Sequence, residues 1–305
     1  MAAVDAASPH PLYISRCPHC GSLATDRPPL AMTETDAAID SYVEATAGIG
    51  TIAERLFMLD PRTVSSLLDV GCGYGFGADL GAFLFGWRTV GVEPSAAGRR
   101  GAAELGIDIR DGFVTTEPLA GSPFDAVLVS EVLEHVEDPA GLLAAMRAQL
   151  APHGVLVLTT PAAEVVNPSS STQTVTEVLS VPYHHFVASA AGLERLLRDS
   201  GFGAVAVARF GAVLVALARV QPGELHVPPP HAAPADRLEA YYLQRAATAA
   251  PGSALELGCA TRAVRSMVAR GAFDDAVAAC DLLRAAFRDR KSTRLNSSHP
   301  SLSRM

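Results

Sequence analysis

The sequence contains almost no lysine and few aromatic residues. Lys291 is the only lysine in a chain of 305 residues, aromatic residues make up 6% of it, and its formal net charge is −8. No stretch places arginines along one face with aromatic residues between them, which is the pattern that nucleic-acid-binding surfaces show. We therefore expect no nucleic-acid partner.

Long apolar runs are also missing. No run approaches the roughly 20 residues that a membrane-spanning helix needs. The first residues, MAAVDAASPHPLY, lack the basic stretch and apolar stretch of a secretory signal peptide. Five cysteines, only two of them close together, do not make a disulfide framework. These absences predict a soluble, cytoplasmic protein with no membrane partner.

The single lysine marks an unusual end of the chain. Residues 291–305, KSTRLNSSHPSLSRM, are rich in serine and poor in alanine, unlike the sequence before them. The segment resembles non-genomic sequence that recurs at the ends of translated assemblies. We expect a foreign or disordered tail that has no function of its own.

What the chain does contain is an alternation of short apolar runs and longer amphipathic runs between residues 65 and 218. This alternation is typical of a parallel sheet covered by helices. Only a glycine-containing turn separates the last two apolar runs, which predicts an antiparallel pair at the sheet edge. We predict an α/β fold with a Rossmann-like, doubly wound, mostly parallel sheet and an antiparallel edge strand. The seven predicted strands are SSLLDV, TVGVE, IDIR, FDAVLVS, GVLVLTTP, AVAVARF and AVLVALARV.

The chain beyond the sheet is expected to form a separate unit. Residues 221–234 hold five prolines and no periodic apolar pattern, which indicates a semi-rigid linker. Apolar residues then recur at helical spacing and predict a helical hairpin over 235–290. The main α/β domain is expected to cover 41–220.

The segment LLDVGCGYG ends a predicted strand with an acid and continues with alternate glycines. The pattern Asp69-x-Gly71-x-Gly73-x-Gly75 brings bare backbone against a ligand at the carboxyl edge of the sheet, where open α/β sheets bind ligands. Dinucleotide-binding folds have a glycine where Phe76 stands. A carboxylate two residues before the turn would repel a pyrophosphate but attract a cationic ligand. The loop therefore favours a ligand with a positive charge.

A second acid follows the next strand. Glu93, in TVGVEPS, lies 22 residues after Gly71, where a carboxylate can accept both hydroxyls of a ribose. S-adenosylmethionine has a ribose, a sulfonium and an amino-acid head, and so it fits both acids.

Four motifs in the same order and spacing resemble the class I S-adenosylmethionine-dependent methyltransferases, in particular the ubiquinone-biosynthesis-type and related small-molecule enzymes. They are LLDVGCGYG, GVEPS, FDAVLVSEVLEHVEDP and LAPHGVLVLTTP, within residues 65–218. The resemblance implies S-adenosylmethionine as cofactor and a small-molecule acceptor, methylated on oxygen rather than nitrogen or carbon. His153–Gly154 departs from the common Gly-Gly of the last motif.

The resemblance also implies which residues meet each part of the cofactor. Asp69 and the glycines of the loop would line the methionine part, and Glu93 would hold the ribose. Asp111 and Gly112, after the third strand, would lie beside the adenine, and Ser130 would follow the fourth strand against the cofactor.

Two adjacent histidines are candidates for catalysis. His184 and His185, in VPYHHFVAS, lie where the family often has a histidine, and an imidazole there could take a proton from an acceptor hydroxyl. Tandem residues in extended chain point to opposite faces, so at most one should act. The alternative is that both only bond backbone groups. Glu134 and His135 are expected to be structural.

The segment LYISRCPHCGSLATDRPP resembles the second half of a zinc ribbon that precedes some of these methyltransferases, and residues 1–40 form the corresponding segment. Tetrahedral zinc needs four ligands. Cys17 and Cys20 supply two, and only His10 and His19 lie near enough to replace the others. We predict a defective or truncated half site rather than a working zinc site.

A second function class competes with the enzyme. A catalytically silent, cofactor-binding scaffold would dock an unknown protein partner through the C-terminal helices. The segment between the fifth and sixth strands, 161–190, distinguishes the two, because an acceptor pocket there favours the enzyme and a disordered segment favours the scaffold.

Overall fold

The computed structural model describes residues 2–3, 13–26, 35–46, 48–180, 183–230 and 232–281. Three features predicted from the sequence lie outside these ranges: the tail over 291–305, His10 as a substitute zinc ligand, and residues 282–290 of the helical hairpin.

Two sheets hold the strands. They are β1 (Ala2–Ala3), β2 (Tyr13–Arg16), β3 (Leu23–Thr25), β4 (Ser66–Val70), β5 (Arg88–Val92), β6 (Ile109–Arg110), β7 (Phe124–Ser130), β8 (Leu150–Pro161), β9 (Phe186–Val187), β10 (Ala204–Phe210) and β11 (Val213–Arg219).

The α-helices are α1 (Asp36–Ala45), α2 (Ile49–Leu56), α3 (Phe76–Phe85), α4 (Ala96–Leu105), α5 (Pro139–Gln149), α6 (Thr172–Leu179), α7 (Ala190–Asp199), α8 (Ala235–Thr248) and α9 (Ala254–Ala269). Residues 273–281 are helical as well, and short 3-10 helices cover Leu133–His135 and Ala163–Val165. None of the helices in the described ranges combines the length and the apolar character that crossing a membrane would need.

Seven strands form the main sheet, in the order β10-β11-β8-β7-β4-β5-β6. The strands from β8 to β6 run parallel, whereas β11 is antiparallel to both of its neighbours, β8 and β10. The predicted α/β fold with a mostly parallel, seven-stranded sheet is confirmed. The antiparallel strand, β11, is not the edge strand. β10 forms the edge of the sheet, and the chain then turns back so that β11 lies between β10 and β8.

The centre of the sheet explains both the continuous apolar runs and the position of the site. All five residues of β4 are buried, since helices cover both faces, and such strands are apolar at almost every position. Val70 pairs with Val92 of β5 and with Val129 of β7. The residues that follow these parallel strands therefore lie along one edge of the sheet.

Helices cover the two faces in two apolar clusters. α1, α2, α3, α4, α8 and α9 contribute to one cluster, and α5 and α7 contribute to the other. The C-terminal region contains one helix more than a hairpin, because α8 and α9 precede the helical run over 273–281. α8 and α9 pack into the same cluster as the helices beside the sheet rather than standing apart from it.

A buried ion pair fastens α8 to α3. Arg245 donates from Nε to Oδ2 of Asp79 over 2.8 Å, and the Tyr241 hydroxyl donates to the same oxygen over 2.7 Å. Asp79 is fully buried, and this burial raises the pKa of its carboxyl although Arg245 and Tyr241 act in the opposite direction. The pair supplies the charge that a buried carboxylate requires.

The N-terminal segment forms a small antiparallel sheet with β9, in the order β1-β2-β3-β9. Ser22 accepts a hydrogen bond at its Oγ from the backbone N of Ser189, over 3.1 Å, at the start of α7. Arg16 donates to the carbonyl of Ala163 over 3.2 Å. The segment thus packs against the chain that connects β8 to α7.

Candidate active site

Three glycines make the turn between β4 and α3. Gly71, Gly73 and Gly75 have φ angles of +64°, +55° and +97°, which side chains rarely adopt. A Cβ on Gly71 would lie 2.5 Å from Val132, and one on Gly75 would lie 2.6 Å from Ile109. Among the residues that the structure describes, a Cβ on Gly73 would meet only the Tyr42 hydroxyl, at 4.0 Å. Gly71 and Gly75 are therefore needed for close packing and Gly73 leaves its backbone open, while the contact of all three with the methionine part of the cofactor stays a prediction.

Asp69 lies behind this loop. Its Oδ2 accepts a hydrogen bond from the backbone N of Ala78 over 2.9 Å, in the first turn of α3. A Cβ on Gly77 would collide with the same oxygen, which explains that glycine as a packing position. Burial, reinforced by the nearby Glu93, raises the pKa of Asp69 to about 7. The charge of Asp69 is thus sensitive to pH near neutrality.

Glu93 connects the glycine loop to α4. Its Oε2 accepts from the backbone N of Gly73 over 2.9 Å, and its Oε1 accepts from the backbone N of Ser95 over 3.1 Å. Each carboxylate oxygen can accept more than one hydrogen bond. Glu93 can therefore hold the loop and still accept hydroxyls from a ligand.

The remaining predicted cofactor residues lie along the same edge. Asp111 follows β6, is exposed, and pairs with Arg99 over 3.1 Å. Gly112 follows it with a φ of +132°. Ser130 ends β7, and its Oγ lies 3.0 Å from Oγ1 of Thr159 on β8. The structure brings Asp69 and Glu93 to the glycine loop and places Asp111 and Ser130 on either side, and their roles toward the cofactor stay predictions.

Tyr42 is a residue that the sequence analysis missed. It comes from α1, its hydroxyl faces Gly73, and its ring centroid is 6.3 Å from that of Phe76. Although 40% of Tyr42 is exposed, the partial burial of its hydroxyl and the neighbouring Asp69 and Glu93 raise its pKa to about 12, so the hydroxyl keeps its proton. The only signal in the sequence is an aromatic residue on an amphipathic helix.

Arg55 is a second residue that was missed. It lies on α2, is 4% exposed, and its Nε and Nη1 have no hydrogen-bond partner among the described residues. Glu131, directly after Ser130, is close enough to act on it electrostatically. Burial lowers the pKa of the guanidinium. Because unpaired buried polar groups are costly, an anionic group of a ligand would satisfy Arg55.

A second polar cluster lies at the same edge, beyond β7. Glu134 is 1% exposed, and its Oε2 accepts from the Thr160 hydroxyl over 2.9 Å. Its Oε1 has no hydrogen-bond partner in the described structure and lies 3.9 Å from Nε2 of His135. The rings of His135 and His184 are 4.6 Å apart. Burial raises the pKa of Glu134 to about 8 and lowers that of His184 to about 4.

Backbone carbonyls orient both histidines in this cluster. Nδ1 of His135 lies 3.1 Å from the carbonyl of Tyr183, and Nδ1 of His184 lies 2.9 Å from the carbonyl of Val178. Because a carbonyl only accepts hydrogen bonds, each Nδ1 carries a proton and each Nε2 keeps a lone pair. Histidine metal ligands are oriented in the same way by backbone carbonyls.

Glu134, His135 and His184 form the one group of three or more potential metal ligands within the described ranges, with one ligand atom of each within 4.8 Å of the others. A carboxylate oxygen without a partner and two neutral imidazoles fit a divalent metal. His185 reaches the cluster through its backbone N, which donates to the carbonyl of Glu134 over 2.8 Å. The sequence predicted a structural role for Glu134 and His135. The burial of Glu134 and its oxygen without a hydrogen-bond partner make the two residues candidate ligand-binding residues instead.

Cys17 and Cys20 lie in the tight turn between β2 and β3. The backbone N of Gly21 donates to the carbonyl of Cys17 over 2.9 Å, and backbone hydrogen bonds from Cys20 and His19 lower the pKa of the Cys17 thiol. Among the described residues, neither cysteine belongs to a group of three potential metal ligands. The half site stays a prediction.

Comparison with known sequences agrees with this geometry. The sequence model of a family described as "Methyltransferase domain" matches residues 45–207, just over half of the chain. The chain is 39% identical over 108 residues to a ubiquinone biosynthesis O-methyltransferase of Methylocella silvestris, covering 33% of this chain and 42% of that protein. It is 38% identical over 101 residues to a protein of the same name from Caulobacter sp., covering 31% and 40%. The chain spans about half the length, or less, of the curated relatives it matches.

A solved structure shares the fold. Human N-acetylserotonin methyltransferase in complex with S-adenosylmethionine superposes with a TM-score of 0.50 at 19% identity, covering 61% of this chain and 56% of that one. At this identity the likeness concerns the fold alone. The family match, taken with the linked motifs, confirms that the chain belongs to the class I S-adenosylmethionine-dependent methyltransferases, the family whose methyl donor is S-adenosylmethionine.

Proposed function

We propose that this protein transfers a methyl group from S-adenosylmethionine to an oxygen atom of a small-molecule acceptor. The observation that carries the choice of oxygen is the cluster of Glu134, His135 and His184. It offers one carboxylate oxygen without a partner and two imidazole lone pairs at the sheet edge beside Ser130. The imidazole lone pairs are acceptors that would bind and orient a hydroxyl group, and the carboxyl of Glu134 becomes a full acceptor when it loses its proton, at a pKa raised to about 8.

The cofactor's charges are matched by groups around the glycine loop. Its sulfonium and ammonium are cationic, and two carboxylates lie at this loop, since Glu93 accepts from the backbone N of Gly73 and Asp69 accepts from that of Ala78. Its carboxylate is anionic, and the unpaired nitrogens of Arg55 would bind it. Glu93 would also accept the ribose hydroxyls. The opposite charges would fix the orientation of the cofactor, so that its methyl group faces the acceptor cluster.

With Glu134 ionised, the three groups of Glu134, His135 and His184 would instead hold a divalent cation, which would then bind the acceptor hydroxyl in their place. Such a cation, when bound, lowers the pKa of an acceptor hydroxyl beside it. Thr160 donates to Glu134 and leaves its other oxygen available. A sulfonium methyl is already activated, so the remaining work of the protein is to align the acceptor in line with it and to exclude water.

The chain between β8 and α7 supports the enzyme over the silent scaffold. Val178 and Leu179 of α6 are buried against Val187 of β9 and Leu23 of β3. This small core is joined to the acceptor cluster, because the carbonyl of Val178 accepts a hydrogen bond from Nδ1 of His184. A packed segment of this kind is what an acceptor pocket requires.

The decisive experiment is transfer from methyl-labelled S-adenosylmethionine to a panel of phenols, catechols, amines and carbon nucleophiles. The protein is first treated with a chelator, and Mg²⁺, Mn²⁺ or Zn²⁺ is then restored. We expect label on an acceptor oxygen, lost after chelation and recovered with one of the metals. Transfer only to nitrogen or carbon would refute the choice of oxygen, and full activity after chelation would refute the cation.

Replacing Glu93 by alanine should weaken S-adenosylmethionine binding by about 1.5–3 kcal/mol, which is the range for hydrogen bonds to a charged group. Calorimetry on the folded variant measures this loss. Glu194→Ala, which removes an exposed carboxylate paired with Arg198 on α7, is the matched control and should bind normally. Unchanged affinity in a folded Glu93→Ala protein would show that Glu93 does not bind the ribose.

Cofactor affinity should depend on pH through Asp69. Because the pKa of this carboxyl is raised to about 7, it is mostly protonated at pH 6 and ionised at pH 8. The ionised form attracts the cationic cofactor, so we expect about tenfold weaker binding at pH 6 than at pH 8. Asp69→Asn should flatten the pH profile, and S-adenosylhomocysteine, which lacks the sulfonium charge, should show a smaller dependence. An identical profile in wild type and Asp69→Asn would contradict the assignment.

The same raised pKa affects stability in the absence of cofactor. The folded chain binds a proton at Asp69 more tightly than the unfolded chain, whose carboxyl titrates near pH 4. The contribution of Asp69 to the free energy of unfolding is therefore largest below pH 4 and is lost as the pH rises through about 7.

A further inference from the structure

Helix α1 lies between the glycine loop and the C-terminal helices. On one side, the Tyr42 hydroxyl faces Gly73. On the other side, α9 approaches so closely that a Cβ on Gly258 would lie 2.6 Å from the carbonyl oxygen of Val43 and 2.8 Å from that of Glu44. The backbone of α9 thus rests directly against the last turn of α1.

Arg262 completes this contact. Its Nε donates to Oγ1 of Thr46 over 2.8 Å, and its Nη2 donates to the carbonyl of Ala45 over 2.8 Å. Thr46 ends α1 with a φ of +45°, which is unusual for a β-branched residue. A cation at a helix C-terminus stabilises the free carbonyls there. Arg262 is therefore the cap that holds the end of α1.

The other side of α1 is held as well. Arg100 of α4 pairs with Asp40 over 2.7 Å, and it also pairs with Glu104 over 2.7 Å. α9 packs on α8, and the buried pair of Asp79 and Arg245 fastens α8 to α3. Two helices outside the glycine loop, α4 and α9, therefore fix the position of α1.

We propose that the C-terminal helices form part of the cofactor site, with Arg262 as a positioning residue that holds Tyr42 over the bound cofactor. This places a function in a region outside the family match, which ends at residue 207. Tyr42 closes the open side of Gly73 and keeps its hydroxyl proton for donation to the cofactor. The proposal rests on S-adenosylmethionine binding at the glycine loop.

Arg262→Ala tests the proposal. We expect the Kd and the KM for S-adenosylmethionine to rise about five- to tenfold, with kcat at saturating cofactor nearly unchanged. Arg265→Ala is the matched control, because Arg265 is an exposed arginine on the same helix, and it should leave both constants unchanged. Arg262→Lys should recover part of the affinity, since a lysine keeps the positive charge and can still donate hydrogen bonds from its ammonium group.

A double-mutant cycle with Tyr42→Ala separates positioning from a general loss of stability. If Arg262 acts through Tyr42, the double variant should bind the cofactor no more weakly than Tyr42→Ala alone. Multiplied losses in the double variant, or wild-type affinity in Arg262→Ala, would overturn the proposal. If Arg262→Ala fails to fold, the same cycle is measured with Arg262→Lys. Absence of cofactor binding in the wild type would instead refute the cofactor site itself.

Discussion

Replacing His184 by alanine is expected to lower methyl transfer at least about 100-fold with little change in cofactor affinity. His184 contributes one of the two imidazole lone pairs beside the orphan oxygen of Glu134, and the carbonyl of Val178 fixes its orientation. A bound metal or a positioned base supplies several kcal/mol of transition-state stabilisation, so loss of one member removes most of that effect. Turnover on the acceptor found by labelling measures it.

His185→Ala is the control within the same dipeptide. His185 reaches the cluster through its backbone N, which alanine retains, so turnover should stay within a few-fold of wild type. Glu134→Gln keeps the shape of the side chain but removes its ability to ionise, and it should behave like His184→Ala and bind less metal. Near-full turnover of His184→Ala would show that methyl transfer proceeds by positioning alone. Loss of cofactor binding would show that His184 is structural.

Replacing Arg245 by methionine should destabilise the protein by about 3–5 kcal/mol, the usual result of removing one partner of a buried ion pair. Methionine fills a similar volume but leaves the carboxylate of Asp79, which is fully buried, with the Tyr241 hydroxyl as its remaining donor. Denaturant unfolding of the purified variant measures the loss. Arg195→Met is the control, because Arg195 and Asp199 form an exposed pair, and such pairs contribute at most about 1 kcal/mol.

The loss in Arg245→Met should shrink as the pH falls from 8 to 5. Burial raises the pKa of Asp79, and the effect grows without Arg245, so the folded variant takes up a proton that the unfolded chain does not hold. A raised folded-state pKa gives stability that is present at low pH and lost at high pH. A deficit below 1 kcal/mol, or one independent of pH, would contradict the buried-charge explanation.

The sheet and the glycine loop could be predicted because their signals are local. β4 is buried along its whole length and mostly apolar because both faces are covered, and Gly71 and Gly75 stand where a Cβ would collide. Glu93 follows β5 at the distance along the chain that brings it to Gly73. For such residues, the position in the sequence pattern is enough to predict the position in the fold.

Tyr42, Arg55 and the role of α9 could not be predicted, because their significance depends on contacts between distant segments. Tyr42 and Arg55 lie on amphipathic helices, whose pattern indicates only which side is buried. Alternation along extended chain predicted that His184 and His185 differ, yet the choice between them required the carbonyl of Val178 and the ring of His135. The antiparallel strand β11 was predicted from the turn that precedes it. Its position between β10 and β8 could not be predicted, because it depends on pairing with β8.

The contact between α1 and α9 has a consequence for how the protein matures during synthesis. Arg262 and Thr46 are 216 positions apart, and contacts this distant close large loops and form late in folding. The glycine loop and Glu93 leave the ribosome long before α9, since domains emerge from the N-terminus. A nascent chain that stops before α9 carries the loop without the helix that holds α1 above it. If Arg262 positions Tyr42 as proposed, full affinity for the cofactor is therefore expected only when most of the chain has been translated.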